Sequence, residues 1–336
     1  MTDLPPVIFG TSGLGNLYKA QSQETKNTII KNIFTYSPKP VVFDSAGKYG
    51  AGLALESLGN GLRSLGIKPD EVIISNKLGW VRTPLTTPEP TFEPGVWVGL
   101  QHDAVQKISY EGIIECYEQG VELLGGYETQ LVSVHDPDEY LAAATNENDK
   151  KKRYQDILDA YRALFELKAQ GKVKAVGIGA KDWHSIQTIS RDIDLDWVMI
   201  ANSMTLHSHP ADLLAFMQEL EDKNVTIINS AVFNGGFLLG GEFYNYKPVD
   251  AADPKGRALL EWRERFYEAC REHNIEPIAA CVRFALSAPG TESIALSTTN
   301  PDKIKVNLEY PEKTIHAGFW EDLKAKKLID PNYAYL

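Results

Sequence analysis

Four residues of types that can move a proton next to a carbonyl stand at or just beyond the ends of short apolar runs. Pro40-Val41-Val42-Phe43 runs into Asp44 with Tyr49 close behind, Glu71–Asn76 runs into Lys77, and Gln130–Val134 runs into His135. A tyrosine titrates near ~10 and by itself is a poor acid or base at neutral pH. A lysine ammonium alongside favours phenolate and lowers that value. A carboxylate such as Asp44 can hold the lysine charged and in place, and a histidine can orient a substrate oxygen or share the proton. Such a set would protonate a carbonyl as hydride arrives, or deprotonate an alcohol as hydride leaves. The same residues also read as a structural Asp44–Lys77 ion pair beside an unrelated tyrosine and histidine.

For these side chains to meet, their strands must be neighbours. The hydrophobic pattern predicts strands at Val7–Gly10, 40–44, 71–77, 130–135, 173–179, 197–202, 225–230 and 293–297. Helical spacing predicts helices at 23–34, 53–65, 109–124, 154–165, 211–223, 256–273, 277–286 and 301–308, the 154–165 face being Tyr154, Ile157, Leu158, Tyr161, Leu164 and Phe165. Eight strands alternating with helices require a mostly parallel sheet, open and doubly wound or closed. The count of eight and the lack of a mid-chain linker favour a (β/α)8 TIM-type barrel. It is read as one domain over 1–336, with a long loop insertion at 78–107 after strand three and a C-terminal extension. Active sites of such barrels lie at the C-terminal ends of the strands, where Asp44, Lys77 and His135 fall.

The chain carries a net charge of −11, which argues against a nucleic-acid partner. No apolar stretch reaches the ~18 residues of a membrane span, and the N-terminal Met-Thr-Asp-Leu-Pro-Pro lacks a leader-like pattern. Cys116, Cys270 and Cys281 form no CxxC pair and read as reduced structural residues of a cytoplasmic protein.

The stretch Phe43-Asp44-Ser45-Ala46-Gly47-Lys48-Tyr49-Gly50, followed by Glu56-Ser57-Leu58-Gly59, resembles the aldo-keto reductase signature. Lys77, His135 and the segment from Pro277 to Asn307 extend the likeness over about residues 7 to 310. The resemblance implies hydride transfer with NAD or NADP: Tyr49 as acid/base, Lys77 and Asp44 tuning it, His135 orienting the substrate. It also implies a nicotinamide site at strands five to seven and adenosine phosphates at strand eight. Gly179-Ala180 replace the Ser-Asn usual there, leaving Lys181 or Asp182 as substitutes, and Asn202 is a partner for the carboxamide. Ser230 through Phe237 would wrap the pyrophosphate, with Phe233 stacking on the nicotinamide, although Asn229 stands where the family often has an aromatic. After strand eight, Ser297, Thr298 and Thr299 lead to Asn300, which fits a helix cap before Pro301. Thr298, Lys303 and Asn307 map onto the family's Ser, Arg and Asn. Members preferring NADP usually carry Lys or Arg at the position of Ser297 and Arg at that of Lys303, and Asp302 adds negative charge, so the residues lean to NAD.

The chain is also similar to the branch of that family that includes aldose 1-dehydrogenases acting on fucose or galactose. That likeness implies a small, sugar-like substrate oxidised at C1 to a lactone. Trp80, Trp97 and His102 in the insertion would line its site; with Phe92 they read equally as a hydrophobic plug. The alternatives are an NADPH-dependent aldehyde or ketone reductase, a metal-dependent barrel hydrolase and an idle cofactor-sensing barrel. For the hydrolase, His207-Ser208-His209 is the suggestive pair, but it follows strand six and no second histidine cluster joins it. These histidines are expected to rim the pocket or lie on the surface. Gly10-Thr11-Ser12-Gly13-Leu14-Gly15 has Tyr18 where a dinucleotide fingerprint needs its third glycine, and reads as the strand-one loop.

Overall fold

A computed structural model describes residues 4–336; Met1, Thr2 and Asp3, part of the N-terminal segment read above, lie outside it. The eight barrel strands are β1 (Val7–Gly10), β2 (Val41–Ala46), β3 (Val72–Leu78), β4 (Leu131–His135), β5 (Ala175–Ala180), β6 (Trp197–Ala201), β7 (Thr226–Ser230) and β8 (Thr291–Leu296). They close in the order β1-β8-β7-β6-β5-β4-β3-β2. Every neighbouring pair is parallel, as crossover helices require. This is the expected (β/α)8 barrel.

Alternation along each strand sorts the barrel interior into layers. Lower down, Ile8, Val42, Leu131, Ala175, Trp197, Met199 and Ile228 form an apolar cluster, with Ile73 against it. Two or four residues further on, the same parity gives Asp44, Lys77, His135, Gly179 and Ser230. The chain therefore fills the base of the barrel with hydrocarbon and leaves its polar residues at the C-terminal mouth. Trp197 fits only because residue 177 is glycine: a Cβ there would lie 2.2 Å from the indole. Helix faces such as Ile157, Ala160, Tyr161 and Leu164 pack on the outer side of the wall.

The insertion lacks the periodicity of a strand but contains an antiparallel hairpin, Trp80–Pro84 with His102–Gln106. Its tip packs as a separate cluster of Phe92, Trp97, Leu100, Ala104 and Ala51. The helix expected at 154–165 runs over Glu147–Ala169, because Asn146 caps it two turns earlier by accepting from Asp149 N at 3.0 Å. Short helices Pro137–Ala142 and Trp183–Ile189, too brief to show a period, lie outside the expected set. The C-terminal extension forms a helix, Ala317–Ala325, and Tyr333 beyond it is buried beside Phe284.

His207 and His209 neither rim the pocket nor lie free on the surface. The His207 Nδ1 is 2.9 Å from Tyr244 OH, and its ring packs edge-on to Trp262. His209 Nε2 accepts from Asp330 N at 2.9 Å, so it anchors the C-terminal extension. All three cysteines are buried and unpaired, and burial pushes the Cys116 thiol up to about 12. Among the described residues no helix is long and apolar enough to cross a membrane.

Candidate active site

The register brings the four candidate residues together. Ala46 pairs with Lys77 and His135 with Gly179, so the ends of β2 to β5 are level. Lys77 Nζ donates to Asp44 Oδ2 at 2.5 Å, both groups buried. Asp44 also accepts from Ser75 Oγ at 3.3 Å. Room for the lysine stem comes from Gly179, where a Cβ would lie 3.1 Å from Lys77 Cδ. Tyr49 sits on the loop after β2. That loop is pressed onto the β1 loop: Gly50, at φ +62°, leaves no room for a Cβ, which would lie 2.3 Å from Gly15 O. Lys77 Nζ is 4.9 Å from the centre of the Tyr49 ring, and the His135 ring meets it edge-on at 5.6 Å.

The electrostatics differ from the sequence expectation in one respect. Burial, then the charges of Asp44 and other neighbours, push the Tyr49 phenol well above its ordinary value. Lys77 does not reverse this, because its charge is taken up by Asp44; as arranged, Tyr49 is held as a proton donor. Burial, reinforced by Lys48, Lys77 and Lys181, holds His135 neutral, well below the usual histidine range. The buried His135 Nδ1 has no partner among the described residues. A neutral imidazole and a phenol at one end of a cavity can bind a carbonyl or hydroxyl oxygen without placing a bare charge against it.

All four residues open into one cavity of about 720 Å3. Gly179, Ser230, Phe233, Ser297, Thr298 and Thr299 line it as well, with Ala180. So do Gly10, Ser12 and Gly13 of the β1 loop, which crosses to β8 through Ser12 Oγ and Ser297 Oγ at 3.4 Å. After β7, Ala231, Asn234, Gly235 and Gly236 all have positive φ, so the chain turns tightly along the cavity wall, with Asn234 N and Gly236 N taken up by Ala231 O and Phe233 O within the turn. Phe233 lines the same side of the cavity, whose size and mixed apolar and main-chain lining fit a dinucleotide. Asn202 ends β6 with a buried Oδ1 lacking a partner among the described residues, but does not line the cavity. Asn229 is buried outside the cavity lining, donating to Met204 O and Ala285 O. Asn300 caps as expected, accepting from Asp302 N at 2.9 Å, while Lys303 and Asn307 lie beyond the lining residues.

Of the two residues offered in place of the missing Ser-Asn, Lys181 lines the cavity and Asp182 does not. Lys181 is paired with Glu139 at 2.5 Å and Asp136 at 3.3 Å, and Asp182 caps the helix Trp183–Ile189. On the insertion, Trp97 lines the cavity and packs on Tyr49 at 5.8 Å, whereas Trp80 and His102 do not line it. Trp80 packs on Phe92, so most of these aromatics form the plug. Sequence reasoning gave no role to Lys48, Glu93, Asp136 or Tyr246, which also line the cavity. Only their crowding next to Tyr49 and His135 was available as a signal, and for Glu93 and Tyr246 not even that.

Comparison with known proteins agrees with this geometry. A family model described as "Aldo/keto reductase family" matches residues 6–327. The chain is 28% identical over 335 residues to pyridoxal 4-dehydrogenase of Microbacterium luteolum, covering 96% of this chain and 93% of that protein. It is 27% identical over 345 residues to D-threo-aldose 1-dehydrogenase of a Pseudomonas species, with 97% and 95% covered. Among solved structures, the holo form of aldo-keto reductase AKR11C1 from Bacillus halodurans superposes with a TM-score of 0.68 at 17% identity, covering 98% of this chain and 93% of that one. The glycerol dehydrogenase AKR11B4 from Gluconobacter oxydans gives 0.68 at 15%, covering 98% and 95%.

Proposed function

Since this chain belongs to the aldo/keto reductase family, an NAD(P)-dependent oxidoreductase, we propose that it oxidises the carbinol carbon of a cyclic hemiacetal to a lactone, with Tyr49 handling the proton. The observation that carries the reading is the cavity itself, which joins a buried Tyr49–Lys77–His135 cluster to the loops Ser230–Gly236 and Ser297–Thr299. The two curated relatives are named for an aldose and for pyridoxal. Both molecules are aldehydes with a hydroxyl placed to close a ring on the carbonyl, so both present a hemiacetal.

In this reading the substrate hydroxyl sits between Tyr49 OH and the His135 ring. Ser230–Phe233 and Ser297–Thr299 would hold an oxidised nicotinamide dinucleotide, which would supply the hydride acceptor. Tyr49, as phenolate, takes the hydroxyl proton as the carbon loses hydride, and the carbon–oxygen double bond of the lactone forms. Lys77, fixed by Asp44, steadies the phenolate. Neutral His135 holds the substrate oxygen without competing for the proton. Gly179 and Thr298 are further cofactor contacts in this reading. NAD is the preferred form, since Ser297 offers a 2′-phosphate no cation.

The raised Tyr49 proton affinity favours a second reading, reduction of an aldehyde or ketone by NADPH. Steady-state assays with fucose, galactose and pyridoxal under NAD and NADP, beside simple aldehydes under NADPH, separate the two. Turnover confined to simple aldehydes would overturn the hemiacetal reading; a large NADP preference would overturn the choice of NAD.

A further inference from the structure

The wall of the cavity beside His135 is built from ions. Lys48, one residue before Tyr49, is buried with its Nζ 2.7 Å from Glu93, 3.2 Å from Glu139 and 3.5 Å from Asp136. Lys181 Nζ reaches the same Asp136 and Glu139. Asp136 Oδ2 therefore stands among three nitrogens, the third being His135 Nε2 at 3.6 Å. Lys48, Glu93, Asp136 and Lys181 all line the cavity.

Two features set this cluster apart from an ordinary salt-bridge network. Three carboxylates face two ammonium groups, so the charges do not cancel within it. Both Asp136 (φ 47°) and Glu93 (φ 43°) also hold left-handed backbone conformations that a non-glycine residue adopts only at a cost. Glu93 comes from the insertion, where its other oxygen accepts from Trp97 Nε1 at 2.7 Å, and Trp97 packs on Tyr49. One lysine thus ties together the insertion, the residue after His135 and the loop that carries Tyr49.

We propose that Lys48 and Asp136, completed by Glu93, form a hydroxyl-recognition wall that selects polyhydroxylated substrates over bare aldehydes and alcohols. A sugar hydroxyl donates one hydrogen bond and accepts others; a carboxylate beside an ammonium offers both partners at one place. A hydroxyl on the carbon next to the reacting one would lie against this wall while the reacting oxygen lies at Tyr49 and His135. Substrates lacking it leave the ions desolvated and unanswered, which is how a polar site rejects an apolar analogue. The inference rests on the reading that substrate is transformed at Tyr49.

The test compares wild type with Asp136→Asn, which keeps shape and tolerates the left-handed backbone, and with Lys48→Gln. The substrates are galactose, 2-deoxygalactose and benzaldehyde, with galactose also assayed as an inhibitor of benzaldehyde reduction. Wild type is expected to favour galactose over its deoxy analogue by about tenfold or more, and each variant to lose most of that ratio, chiefly through KM. If galactose is not oxidised but inhibits wild type more strongly than Asp136→Asn, the wall stands and the hemiacetal reading falls. If galactose is oxidised and both folded variants keep the wild-type ratio, the wall is overturned and the hemiacetal reading stands. Equal inhibition of wild type and both variants also overturns the wall.

Discussion

Lys77 Nζ lies 4.9 Å from the centre of the Tyr49 ring, placed there by a 2.5 Å bond to Asp44 at the bottom of the same cavity. The lysine is thus shared between a carboxylate that fixes it and a ring that it faces. Removing the carboxylate alone leaves a buried ammonium without its counter-ion, at a cost of about 3–5 kcal/mol. Asp44→Asn is therefore expected to melt well below wild type and to lose activity. The double variant Asp44→Asn/Lys77→Met should regain most of the melting temperature and none of the activity. Thermal melts beside kcat/KM check this; recovery of activity in the double variant would count against the role of Lys77.

Proton traffic should differ with direction. Tyr49 is held protonated by burial and by Asp44. Reduction uses the phenol and should stay flat from neutral to moderately alkaline pH. Oxidation uses the phenolate, so its kcat/KM should climb as pH rises. Profiles recorded in both directions from pH 6 to 10 decide the matter; an oxidation rate that falls with pH over that range would contradict the assignment.

Stability should fall on the acid side. Burial, with His209 adding to it, holds His207 at about 4, against 6.5 for an ordinary histidine. Between those values the unfolded chain binds a proton there that the folded chain does not, so unfolding gains as pH falls; above 6.5 neither state binds it and nothing is lost. By pH 5 this amounts to about 2 kcal/mol. His135 is lowered in the same direction and adds to the loss. Urea titrations at pH 7 and pH 5 should show His207→Phe losing less stability between the two than wild type; equal losses would refute the coupling.

Two glycines on one strand should respond differently to a methyl group. At Gly177 a Cβ would meet the Trp197 ring at 2.2 Å, and neither can retreat from the barrel interior. At Gly179 it would meet the flexible stem of Lys77 at 3.1 Å. Gly177→Ala is expected to cost several kcal/mol by overpacking, at or above the upper end of the usual ~1–3 kcal/mol. Gly179→Ala should fold but turn over more slowly, as Lys77 shifts under Tyr49. Melting curves and kcat for the pair test this, and wild-type kcat in Gly179→Ala would show that Lys77 has slack.

The strand-eight end should carry the choice of nucleotide. Ser297 lines the cavity beside Thr298 and Thr299. Ser297→Arg is expected to raise kcat/KM for NADP relative to NAD by about tenfold, the worth of one charge-assisted contact. An unchanged ratio would mean that position 297 does not face the 2′ group.

What the sequence made legible follows from period. Alternation along β2, β3 and β4 already turns Asp44, Lys77 and His135 to the same side as Val42, Ile73 and Leu131, so the barrel and its polar mouth could be read from local pattern. Lys48, Glu93 and Asp136 could not, because their meeting depends on three loops of unrelated register. The partners of His207 and His209 are Tyr244 and Asp330, far along the chain, which is why a histidine pair with a metal-like spacing turned out to be packing. The 80–106 hairpin escaped notice because Pro and Gly interrupt the stretch between its strands and its faces do not alternate cleanly.

The most direct test of the account is Tyr49→Phe. It removes one oxygen and leaves the ring against Trp97, His135 and Lys77. The account predicts a fall in kcat of about 10³-fold in both directions, near the middle of what general acid–base catalysis contributes. NAD(P) binding, followed by quenching of protein fluorescence, should stay at the wild-type level. Turnover at the wild-type rate with Phe at position 49 would contradict it.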